Sequence, residues 1–65
     1  MEPILTIKGV KFPSDAHIEA QQKVVQDYLK ESLRTAGAAY DHIAFSWVRN
    51  DESWTVYGYG WWNSD

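Results

Sequence analysis

The apolar positions along the chain change period twice, and each change marks a new element. In the N-terminal stretch ILTIKGVKF, Leu5 and Ile7 alternate as on a β-strand, but Val10 and Phe12 return to that face only if one extra residue is absorbed near Lys8 and Gly9. Glycine tolerates that geometry, so the pattern predicts a bulged strand over roughly residues 3–12. The alternative is a very short hairpin turning at Lys8 and Gly9, with strands below the usual length.

Over roughly residues 15–36 the period becomes helical. Ile18, Gln22, Val25, Leu29, Leu33 and Ala36 fall on one stripe with Tyr28 beside it, while Lys23, Gln26, Asp27, Lys30 and Arg34 take the opposite side. Ser14 after Pro13 reads as the N-cap, Asp15 and Glu19 put negative charge in the first turn, and Gly37 reads as the stop.

Strand alternation resumes over roughly residues 41–62, on both sides of the polar run RNDES. A loop from Asn50 to Ser53 sets Arg49 opposite Trp54, Trp47 opposite Val56, Phe45 opposite Gly58 and Ile43 opposite Gly60. The same register sets Val48 against Thr55, Ser46 against Tyr57, Ala44 against Tyr59 and His42 against Trp61. Large side chains meet small ones along most of the hairpin, which is how cross-strand pairs close without gaps.

These pairs divide the hairpin into two faces. Ile43, Phe45, Trp47, Trp54, Val56 and Trp62 share a face with Gly58 and Gly60, and that face is expected to form the core under the helix. Either the Phe45 ring or a close approach of the helix would then cover the glycines. Tyr57, Tyr59 and Trp61, with Val48, Thr55 and His42, project from the other side, for which a one-helix chain has no cover of its own. The expected fold is a single α+β domain over residues 1–65 in the order β-α-β-β. The favoured sheet is three-stranded and antiparallel with strand order 1-3-2 and the long helix packed on one face; the alternative, left open by the sequence, sets the first strand parallel beside the second.

Length and composition narrow the function. A 65-residue chain without cysteine must hold itself by packing alone, with no disulfide or thiolate metal site. No signal peptide or membrane span is expected, which makes a cytoplasmic location the natural expectation. The net charge of −3 and the scattered lysines and arginines speak against a phosphate-backbone binder.

Candidate chemistry is sparse. Asp41, His42 and Ser46 are the residue types of a hydrolytic triad, but strand positions four apart are about 13 Å apart. His17 and Glu19 point in different directions on a helix, Asp51 and Glu52 read as a solvated turn, and GYG lies within a strand rather than before a helix. No catalytic or metal-binding residue and no cofactor is expected, and the chain reads as a non-enzyme.

The first expected function is therefore a small regulatory or inhibitory module, of the kind phages and mobile elements encode. It would bind another protein through Tyr57, Tyr59 and Trp61, with Val48, Thr55 and His42 contributing. The alternative is a homo-oligomer that buries the aromatic face and takes a planar small molecule between its rings. A single-stranded nucleic-acid binder is third, since stacking rings are present without a basic groove. In topology alone, the element order resembles that of dodecins, which build flavin-binding shells, and of the DinI type of recombinase modulator. No diagnostic motif of either family occurs.

Overall fold

The computed structural model describes residues 1–64. Strand β1 (Leu5–Val10) leads into helix α1 (Ile18–Thr35), followed by strands β2 (His42–Asn50) and β3 (Ser53–Trp61). The sheet order is β1-β3-β2, and both pairings are antiparallel. The fold class is the expected one, and the strand order is the favoured one of the two arrangements left open by the sequence.

The hairpin register matches pair by pair, from Arg49 opposite Trp54 to His42 opposite Trp61, and Asn50 and Ser53, expected in the loop, pair as well, so the loop is shorter than expected. The β1 bulge is also present. The register shifts between Ile7, opposite Val56, and Val10, opposite Trp54, and Gly9 takes the left-handed φ of +73° that makes it glycine's position. Two residues, Asp51 and Glu52, close the hairpin, with Asp51 at φ +54°. Replacing Asp51 by glycine, which carries no steric penalty there, is expected to stabilise the fold by about 0.5 kcal/mol, ~2–4 °C in melting temperature. A lowered melting temperature would mean that the aspartate side chain itself holds the turn.

The helix begins about one turn later than expected, at Ile18 rather than residue 15. Ser14 does not cap it. Its Oγ accepts the Ala16 N–H at 3.0 Å, and the Gln21 side-chain amide donates to the Ser14 and Ala16 carbonyls, both at 2.9 Å. These bonds satisfy a turn that ends with His17 in the left-handed region, so Glu19 alone supplies first-turn acid. The C-terminus is a Schellman motif. Gly37, at φ +87°, donates to the Arg34 carbonyl, and Ala38 donates to that of Leu33.

Among the described residues the buried apolar side chains are Leu29 of α1, 8% exposed, and Val56 of β3, fully buried, so the core is thin. The helix lies on the predicted face and sits toward β2. Trp47 Nε1 donates to Gln26 Oε1 at 2.7 Å, and Ile43 lines a groove beside α1. Ile7 of β1, on the same face, stays 37% exposed. Gln26 is therefore not on the outer face as the periodicity suggests, and Tyr28 and Ala36 point to solvent.

The groups nearest the glycines are neither of the expected covers. A Cβ built on Gly58 would lie 2.8 Å from Leu5 Cγ, and one on Gly60 would lie 2.7 Å from Tyr40 Cγ. Leu5 reaches in from β1, and the Tyr40 ring lies flat on Gly60. Trp62, expected in the core, is outside β3 and 60% exposed, with its ring stacked 4.4 Å from that of Tyr40. Trp47 is the hub of the aromatic side, 5.7 Å from the Phe12 ring and 6.4 Å, edge-on, from that of Trp54. Arg49 lies 5.3 Å over Trp54.

Candidate functional site

The face opposite the helix is built by β3 at its centre, with β1 and β2 on either side. Alternation along β3 puts Thr55, Tyr57, Tyr59 and Trp61 in one row, because side chains two apart share a face. Small neighbours flank the tyrosines: Thr6 and Ser46 stand beside Tyr57, and Ala44 stands beside Tyr59. No second helix or sheet among the described residues covers this row.

The predicted members of the site differ in exposure. Trp61 is 38% exposed and Val48 43%, while Tyr57 and Tyr59 are half-buried among their row neighbours. Thr55 does not fit the expected binding surface. It is 2% exposed, opposite Val48 and next to the β1 bulge, and its Oγ1 accepts the Asn50 side-chain amide at 2.9 Å. Parity put Thr55 on this face, but the turn-facing Asn50 makes it part of the fold.

His42 closes the other end of the row. Its ring stacks on Trp61 at 5.3 Å, and its Nε2 lies 2.6 Å from Asn63 Oδ1. Asn63 N–H donates to Asp41 Oδ2 at 2.8 Å, which ties the segment after β3 back onto the start of β2. Sequence reasoning missed Asn63, since nothing in WWNSD signals a return contact. Asp41 and His42 thus both engage Asn63, and Ser46 stands farther along β2 opposite Tyr57.

Elsewhere the charged groups are solvated. Glu31 accepts from Arg34 at 2.6 Å, and this hydrogen bond and charge raise the guanidinium pKa above its ordinary value. Lys23 pairs with Asp27 at 3.2 Å. Among the described residues no three His, Asp or Glu side chains gather where they could hold a metal ion, and no helix is long and apolar enough to cross a membrane. Comparison with protein-family models, curated proteins and solved structures finds no match for this chain.

Proposed function

We propose that the chain is a small binding module, without chemistry of its own, that engages a protein partner through the sheet face bearing Tyr57, Tyr59 and Trp61. The observation that carries this reading is the row itself. Three rings stand side by side on the central strand, Trp61 and Val48 are exposed, and helix α1 lies on the other side. Tyrosine and tryptophan suit such a surface because each joins a large apolar body to a hydrogen-bonding tip. His42, stacked on Trp61 and fixed by Asn63, stands at the margin as a rigid polar contact.

The test compares partner capture by the wild type, by a Tyr59→Ser/Trp61→Thr variant and by Tyr28→Ser, which alters a ring exposed on the helix. The sheet-face variant is expected to stay folded and lose capture by about thirtyfold or more, the effect of removing a ~2 kcal/mol hot spot. Tyr28→Ser should bind as the wild type does. A bound partner that tolerates the sheet-face variant and is lost with Tyr28→Ser would reject the reading.

A further inference from the structure

The two edges of the sheet differ in protection. β1 is six residues long, is interrupted by its bulge, and carries Lys8 within it and Lys11 just beyond, all of which discourage another strand from pairing there. β2 runs nine residues in unbroken register with no proline, no bulge and a single charged residue, Arg49. In a hairpin closed by two residues, Asn50 and Ser53 exchange backbone bonds. Ile43, Phe45, Trp47 and Arg49 therefore turn their N–H and C=O groups to the free edge. Such an edge is a template for one more strand.

Helix α1 lies beside that edge and runs antiparallel to β2. Gln26 meets Trp47, and the following turns, with Asp27, Lys30, Glu31 and Arg34, line a groove with Tyr40 and Ile43. Those four charged residues are spaced three, one and three apart, so they form one stripe. Their signs run minus, plus, minus, plus, a sequence that becomes its own complement when reversed.

We propose that the β2 edge and this stripe together bind a second copy of the chain about a twofold axis perpendicular to the sheet. That operation pairs β2 with β2 antiparallel into a six-stranded sheet, and it sets the two helices antiparallel on the same face. Asp27 then faces Arg34 of the second copy and Lys30 faces its Glu31, each pair occurring twice. A parallel alignment would set like charges against like. The stripe runs from beside Trp47 toward Ile43 and Tyr40, so its midpoint, between Lys30 and Glu31, lies over the first half of β2, and a twofold axis placed there serves both strand and charge pairing.

The chain has surface to bury in this way. It exposes 4801 Å² where a compact monomer of its mass exposes roughly 4,250 Å². A standard interface takes about 800 Å² per partner. Among the described residues Lys30 has no ion-pair partner, and its partner in the dimer is Glu31 of the second copy. The dimer leaves both Tyr57, Tyr59 and Trp61 rows uncovered and joins them on one continuous sheet face.

The test is solution mass by sedimentation equilibrium up to about 1 mM, where even a weak dimer is half assembled. The wild type is expected to be a dimer. Lys30→Glu and Glu31→Lys each place like charges opposite one another twice, and each is expected to weaken association by about tenfold or more. An equimolar mixture of the two variants should assemble again, because one chain then presents two acids where the other presents two lysines. Circular dichroism checks that each variant is folded, and Asp27→Lys with Arg34→Glu repeats the experiment at the outer pairs. A wild type that stays monomeric to that concentration overturns the proposal. So does association that both charge reversals leave unchanged, or a mixture no tighter than its components.

Discussion

Trp47→Ala is expected to destabilise the chain by about 3 kcal/mol or more, a large fraction of the stability of a domain this small. The indole stands on β2 opposite Val56, touches Phe12 beyond the end of β1, meets Trp54 of β3 edge-on and donates to Gln26 of α1. One side chain thus links β2, β3, α1 and the segment after β1, while only Leu29 and Val56 among the described apolar side chains are buried. Losing it removes apolar contact on three sides and opens the seam between helix and sheet. Urea unfolding followed by far-UV circular dichroism measures the loss. Trp61→Ala, on the uncovered face, is expected to shift the midpoint much less. The reverse order, with Trp61 critical and Trp47 dispensable, would show that the core lies on the other face. Trp47→Phe separates the terms: it keeps most of the apolar area and loses the bond to Gln26, which costs about 1 kcal/mol.

What the sequence makes legible here is whatever depends on neighbours along the chain. The hairpin register follows from large residues meeting small ones on both sides of the polar run, which favours it over a shift by two residues that would keep the same faces. The bulge follows from the parity of Leu5, Ile7, Val10 and Phe12 with a glycine where the parity breaks. The start of the helix is less legible because Ser14 has two uses. It can cap a helix or close a turn, and the Gln21 amide, seven residues on, selects the turn. The membership of the candidate face follows from alternation, but its exposure does not. Thr55 has the right parity and is buried because Asn50 folds back onto it, and His42 is fixed by Asn63 at a sequence separation of 21 residues. Tyr40 shows the limit most plainly. It lies between α1 and β2 in a stretch with no periodicity, yet it fills the space above Gly60.

The glycine pair allows a direct measurement of that packing. Glycine in a strand costs roughly 0.5 to 1 kcal/mol relative to alanine, so Gly58→Ala and Gly60→Ala would stabilise the sheet if nothing lay over them. Here the new methyl meets Leu5 Cγ at 2.8 Å or the Tyr40 ring at 2.7 to 2.9 Å, contacts that neither side chain can relieve by moving a free end. Overpacking of this kind costs about 1 to 3 kcal/mol, which outweighs the backbone gain, so both substitutions are expected to destabilise the fold. The sign should reverse once the covering side chain is removed. Gly58→Ala in a Leu5→Ala background, and Gly60→Ala in a Tyr40→Ala background, should be neutral or stabilising, with a coupling of about 1 kcal/mol or more in each double-mutant cycle. Additive effects would mean that Leu5 and Tyr40 do not lie over the glycines. Coupling in both cycles would establish that the strand spends two glycines to admit one side chain from β1 and one from the loop before β2, which leaves the rings on its other face free for binding.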